Sequence, residues 1–200
     1  MVVDGWDVND DLELVTRTLA GDQAAFGELV QQHQRIVYNL TYRMLGEARE
    51  AEDAAQETFL RAYEHLARYD PNRSFKTWLL AIASNHCIDR LRKRRLTWLS
   101  LDEPLPPHPA LTSKTTAPEE SAIEVESSAA MQAMLGDLPP DYRIVIVLRY
   151  WYDMSYVEIA ETLETTESAV KSRLFRARQA LAEKLQANSA AQMSVALERV

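Results

Sequence analysis

The 200-residue chain has a single cysteine, Cys87. No intramolecular disulfide can form, which fits a reducing cytoplasmic setting. Glycine is scarce, at five residues, and the period-two alternation of a half-buried strand is almost absent. An all-α fold follows. No apolar run approaches the roughly 20 residues of a membrane span. The run Ile144 to Leu148 suits a buried helix instead. The acidic start, MVVDGWDVNDDLEL, lacks the basic-then-apolar order of a secretory signal. Histidines at 33, 65, 86 and 108 are scattered, without metal-ligand spacing, and no nucleophile is paired with a base. Neither an enzyme nor a cofactor is expected. Cations are in the minority too, 22 against 30 acids, for a net charge of -8. Charge alone argues against a nucleic-acid partner, but the cations are not evenly spread.

Between Pro71 and Ser100 lie Arg73, Lys76, Arg90, Arg92, Lys93, Arg94 and Arg95, against one acid, Asp89. The segment 74–95 reads SFKTWLLAIASNHCIDRLRKRR. Ser74 is a good helix N-cap. Phe75, Trp78, Leu79, Ile82 and His86 recur at the spacing of one helix face, and the helix ends in a cationic tail. A solvated, dipole-complementing C-terminus is the plain reading. The sharper one is a nucleic-acid helix, with phosphates supplying affinity and nearby aromatic and amide groups reading bases.

Taken in order, residues 1–9 read as a loose tail. Asp10 or Asp11 caps a short helix through Leu12, Leu14, Val15 and Leu19, which Gly21 ends. Asp22 caps a long helix with the stripe Phe26, Leu29, Val30, Val37, Leu40 and Met44, stopped by Gly46. His33 on that stripe reads as a core or boundary residue rather than a ligand. A third helix, 49–68, has Ala51, Ala55, Phe59, Ala62 and Leu66 inside. Its outer stripe is Glu50, Glu52, Asp53, Gln56 and Glu57, either a solvated face or a docking surface for a basic partner. A turn at 69–73 leads into the cationic helix. Five prolines between 104 and 118 mark a flexible linker.

Helix resumes near Glu119 with Ile123, Val125, Met131, Met134 and Leu135. Pro140 or Asp141 starts the next, with Ile144, Val147, Leu148 and Trp151 inside. Residues 155–181, SYVEIAETLETTESAVKSRLFRARQAL, suggest a helix-turn-helix. Ser155 and Glu158 form a capping box ahead of Val157, Ile159, Ala160 and Leu163. Thr166 caps a final helix whose stripe is Val170, Leu174, Ala177, Leu181 and Leu185. Lys171, Ser172, Phe175, Arg176 and Arg178 lie off it, the mix a major-groove helix uses. Glu164 occupies the turn where glycine is usual. An ordinary helical hairpin with a basic face remains the alternative. The expected organisation is two small helical domains, 10–98 and 121–187, a Pro-rich linker at 99–120 and a frayed tail at 188–200.

Taken together, AEDAAQETFLRAYEHLARYD, the 74–95 segment and LPPDYRIVIVLRYWYDMSYVEIAETLETTESAVKSRLFRARQAL resemble regions two and four of bacterial sigma factors of the extracytoplasmic-function type. The resemblance covers about residues 12–95 and 121–185. It implies that Asp53, Gln56 and Glu57 bind core RNA polymerase. It also implies that Arg73, Lys76, Trp78, Asn85, Arg90, Arg92, Lys93 and Arg94 open and hold the minus-ten element. Lys171, Ser172, Phe175 and Arg176 would then read the minus-thirty-five element as duplex. The linker would thread toward the RNA-exit path. An anti-sigma factor is an expected partner, and the chain is expected to be a monomer when free. Two other readings stay open: a stand-alone helix-turn-helix regulator, which leaves the first domain without a task, and an adaptor that docks on polymerase without melting DNA.

Overall fold

A computed structural model describes residues 8–100 and 122–197, with side chains described over 10–94 and 129–186. The chain divides into two units, Met1–Asp102 and Glu103–Val200. Every regular element among the described residues is helical. The linker expected at 99–120 lies almost wholly outside the described residues; of the loose tail expected at 1–9, residues 1–7 lie outside them, while Val8 and Asn9 already belong to the first helix.

The first unit contains α1 (Val8–Leu19), α2 (Gln23–Leu45), α3 (Ala48–His65) and α4 (Phe75–Ser100), with a 3₁₀ turn at Leu66–Arg68. Helix α2 packs against the other three. Its start is fixed by Asp22, whose Oδ1 accepts from the Ala24 and Ala25 N–H groups at 3.0 and 3.3 Å. The same carboxylate accepts from Arg17 at 2.7 Å, and that bond, ahead of the caps, holds it below the usual range. Gly46 ends α2 at φ +82°, a left-handed conformation that costs glycine little.

Glu47 caps α3 by accepting from the N–H groups of Glu50 and Arg49 at 2.7 and 3.0 Å, and these bonds lower its carboxyl pKa. The expected inner face is found: Ala51, Ala55, Phe59, Ala62 and Leu66 are all buried. Because the alanines project so little, α3 comes close enough for the Thr41 hydroxyl of α2 to donate to the Ala51 carbonyl at 2.9 Å.

Two expectations need correction. Neither Asp10 nor Asp11 caps α1, because the helix starts earlier, at Val8. Asp11 falls instead on its inner face with Leu14, Val15 and Thr18, while Leu12 and Leu19 point outward. The inner face of α4 is also rotated from the expected one. Phe75, Leu79, Leu80, Ala83, Ser84, Cys87 and Ile88 are buried, and Trp78, Ile82 and His86 are only half-buried. Small Ala83, Ser84 and Cys87 let α4 approach α2 and α3, and the bulkier groups sit at the margin. His33 is a core residue, as expected.

The second unit contains α5 (Ala122–Gly136), α6 (Pro140–Trp151), α7 (Tyr156–Thr162) and α8 (Glu167–Leu197). Its core is α6, buried from Arg143 through Leu148 and packed on α7 and α8. The Arg143 guanidinium donates to the carbonyls of Gly136 and Leu138, which ties the end of α5 to α6. Trp151, Val157 and Leu185 were expected inside but are exposed. Each sits near an end of its helix or on the face away from the packed neighbours. Ile123 and Val125 lie outside the described side chains. Helix α8 continues to Leu197, where a frayed tail was expected.

The helix-turn-helix is closed by local chemistry. The Ser155–Glu158 capping box is complete, at 3.2 and 2.7 Å, and it lowers the Glu158 carboxyl pKa. Ala160 and Val170 are buried in the two packed helices. At the turn, the Thr165 N–H donates to the Ala160 carbonyl at 2.9 Å and the Glu164 N–H to Glu161 at 3.4 Å. This is a Schellman closure, with Glu164 at φ +49° in the place glycine normally takes. Left-handed geometry costs a residue with a Cβ about 1–2 kcal/mol. Glu164→Gly is therefore expected to stabilise the second unit by about 0.5–1 kcal/mol after glycine's extra unfolded-state entropy is deducted. Slower amide exchange in α7 and α8 of the full chain would register the gain.

Candidate nucleic-acid and docking interfaces

Helix α3 presents its polar side opposite the alanine face. Asp53 and Gln56 are exposed. Glu57 is half-buried and accepts from Arg61 at 2.7 Å, which lowers its pKa. Gln56 and Glu52 line a groove of about 420 Å³ with Ala55 and Phe59 and, from α2, Val30, Gln34, Arg35 and Tyr38. Burial chiefly, and then the Glu52 charge, keep the Tyr38 phenol above its usual pKa. Leu60 and Tyr63 are exposed on α3, and Tyr63 meets Phe26 of α2 edge-on at 4.9 Å. This apolar strip was missed in the sequence. Its only signal was the i, i+3 spacing of two large side chains outside the alanine stripe. The face is thus mixed acidic and apolar, complementary to a surface that supplies basic and apolar groups.

The loop 69–74 precedes α4. Asp70 accepts from the Asn72 N–H at 3.0 Å and its carbonyl accepts from Arg73 N–H at 3.0 Å. The Tyr69 hydroxyl donates to the Arg73 carbonyl. Tyr69, Phe75 and Trp78 form an aromatic cluster with centroids 5.3 to 5.6 Å apart. Phe75 is buried beneath it, whereas Arg73, Lys76 and Trp78 are half-exposed. Further along α4, Asn85 is exposed, two turns beyond Trp78, and Arg92 is exposed two turns beyond that. A seven-residue step returns almost to the same helix face, so the three form one line. Lys93 is exposed next to it.

The other two cations behave differently. Arg94 donates to Glu50 of α3 at 2.8 Å. Arg90 is half-buried, and its charge adds slightly to the backbone hydrogen bonds from Glu50 and Arg49 that lower the Glu47 pKa. The basic tail is therefore split between an outward line and a pair held against the acidic start of α3.

In the second unit Lys171, Ser172, Phe175 and Arg176 are all exposed on α8, Phe175 at 68%. Arg176 reaches the Tyr142 hydroxyl at 3.4 Å, and Lys171 pairs with Glu167 at 2.6 Å. Beside them Arg149 and Lys171 lie 5.7 and 5.8 Å from the Tyr156 ring centre, and Arg178 donates to the Tyr150 hydroxyl at 2.8 Å. This Tyr–Arg cluster draws on three helices, so no single sequence window contains it.

Among the described residues no three His, Cys, Asp or Glu side chains are grouped to hold a metal ion, and no helix is long and apolar enough to cross a membrane.

With these surfaces defined, known proteins give the comparison. Residues 29–97 match the model for Sigma-70 region 2, and residues 128–181 match that for Sigma-70, region 4. The chain is 40% identical over 170 residues to the ECF RNA polymerase sigma factor SigW of Bacillus subtilis, covering 82% of this chain and 91% of SigW. It is 32% identical over 193 residues to the RNA polymerase sigma-H factor of Pseudomonas aeruginosa, covering 88% and 94%. The structure of CnrH in complex with the cytosolic domain of CnrY aligns with a TM-score of 0.63 at 31% identity, over 90% of this chain and 99% of that one. The chain belongs to the sigma-70 family, in its extracytoplasmic-function (ECF) branch. It is a sigma factor that directs RNA polymerase, and its family is one of transcription initiation factors.

His86 of α4 faces the Glu57–Arg61 pair. Its buried Nε2 lacks a hydrogen-bond partner. Burial, and then Arg61, push its pKa below the ordinary 6.5, partly offset by Glu57. A base with a depressed folded pKa contributes stability above its unfolded pKa and loses it as pH falls through the folded value. His86→Leu is expected to shrink the drop in urea midpoint between about pH 7 and pH 5 relative to wild type.

Proposed function

We propose that the two units divide promoter recognition, 10–98 acting as region two and 121–187 as region four, with 99–120 as the link. Asp53, Gln56 and Glu57, with the neighbouring groove and the Leu60–Tyr63 strip, dock on core RNA polymerase. The 69–74 loop, Arg73, Lys76, Trp78 and Asn85 open the minus-ten element and hold an extruded base. Taking a base out of the stack costs a few kcal/mol. An aromatic ring and an amide on one helix line are suited to offset it by stacking and hydrogen bonding. Arg90, Arg92, Lys93 and Arg94 hold the adjoining phosphates. Lys171, Ser172, Phe175 and Arg176 enter the major groove at the minus-thirty-five element. The line Trp78, Asn85, Arg92 beside the loop carries this reading, because it joins base-stacking, base-reading and phosphate-binding groups on one exposed face.

The related CnrH is found with the cytosolic domain of CnrY. By analogy an anti-sigma factor covers this chain's docking surfaces when it is inactive, and the protein works in the cytoplasm. The net charge of -8 suits this scheme, since it weakens binding to DNA without polymerase.

Run-off transcription with bacterial core polymerase on a promoter library tests the proposal. Transcripts sharing one upstream motif are expected. Tight duplex binding without core, and no transcripts, would instead favour a stand-alone regulator. Asn85→Ala should leave core binding intact and lower promoter opening. Arg176→Ala should cost about 1–3 kcal/mol with a base-dependent loss. A uniform loss across sequences would make Arg176 a phosphate contact.

A further inference from the structure

The first unit buries a polar couple that packing alone does not require. His33 is 2% exposed and Asp11 8%, and His33 Nε2 lies 2.8 Å from Asp11 Oδ1. The imidazole and the carboxyl group share a hydrogen bond at that distance. Burying such groups is unfavourable unless they satisfy each other, and apolar residues of similar size are often as stable in their place.

The couple leads to the loop. The bond from α1 fixes the His33 ring, which packs on Phe75 at 5.4 Å between centroids. Phe75 is the first residue of α4, directly after the 69–74 segment. Tyr69 stands edge-on to Phe75 at 5.5 Å and 83°, and Trp78 lies 5.6 Å from it. Tyr69 then closes the loop through its hydrogen bond to the Arg73 carbonyl. Burial, and then the Asp11 charge, keep the Tyr69 phenol above its usual pKa, so the hydroxyl remains a donor. A run of contacts thus passes from Asp11 through His33, Phe75 and Tyr69 to Arg73 and Trp78.

We propose that Asp11 and His33 are positioning residues for promoter opening: the buried couple sets the ring of Phe75, which holds the 69–74 loop and Trp78 in the geometry that captures an unpaired base. This rests on the assignment of that loop and of α4 to minus-ten opening. Neither residue touches DNA in this scheme.

The experiment uses the full chain with core polymerase. It measures core affinity by titration and opening by permanganate reactivity of unpaired thymines. Asp11→Ala and His33→Phe are expected to slow opening about tenfold or more, since small misplacements of positioned groups are costly. Core affinity should stay within about twofold of wild type. His33→Gln retains an N–H donor and should restore most of the opening. Because Asp11→Ala removes a hydrogen-bond partner from a buried imidazole and can unfold the unit, the double variant Asp11→Leu/His33→Phe is decisive. It removes both polar groups, and is expected to fold and bind core yet open slowly. Normal opening by the double variant overturns the proposal, as does a loss of opening matched by an equal loss of core binding. Asn85→Ala in the same assay separates the two levels of failure. If Asn85→Ala opens normally, the assignment of α4 is wrong. If it is impaired while the double variant is not, only the positioning role fails.

Discussion

The close approach of α3 to α2 is the constraint on which the first unit depends. It is possible only because Ala51, Ala54, Ala55 and Ala62 bring almost no side chain to the contact. A helix that spends one face on alanines has to place its charges and larger apolar groups elsewhere. Asp53, Gln56, Leu60 and Tyr63 are exposed for that reason. The same economy recurs in α4, where Ala83, Ser84 and Cys87 go inward and Asn85, Arg92 and Lys93 go outward. Packing and recognition are two sides of one arrangement. Large-to-small changes in the core cost a few kcal/mol, and a small-to-large change at an alanine would push the recognition faces apart.

The second unit reaches a similar end by different means. It rests on one strongly apolar helix, α6, and on local closures that depend on individual side chains. Ser155 with Glu158 fixes where α7 starts, the backbone closure at Glu164 and Thr165 where it stops, and Thr166 where α8 starts. The position in which α8 presents Phe175 and Arg176 is set by those hydrogen bonds together with the packing of Val170, Leu174 and Ala177 in the core.

Much of this was legible in the chain because caps and stops are local. Asp22, Gly46, Ser155 with Glu158, and Thr166 act on neighbours two to five residues away, so a short window contains the whole interaction. The alanine stripe of α3 was equally plain. What was not legible depends on partners distant in sequence. Asp11 looked like a cap because its partner, His33, is 22 positions away. The inner face of α4 was misread because large residues were favoured, while proximity to α2 and α3 selected small ones. Arg94 looked like one more outward cation until Glu50, 44 positions away, was placed beside it. The Tyr150, Tyr156 and Arg178 cluster needed three helices to be in place.

The Arg94–Glu50 pair bears on the ionic accounting of the proposed DNA contact. A free cation that meets a phosphate releases a condensed counterion from the DNA and lets go of its own anion, and the first exchange makes binding steeply salt-dependent. A phosphate that engages Arg94 must also displace a carboxylate already attached to it at 2.8 Å. Glu50 is then left needing a cation from solution. If α4 holds phosphates as proposed, part of the ion release would be returned as ion uptake, and the salt dependence would be shallower than a count of the basic residues in α4 implies. A run of cations held partly by a carboxylate of its own chain would then grip DNA with less sensitivity to the surrounding ionic strength than its charge count suggests.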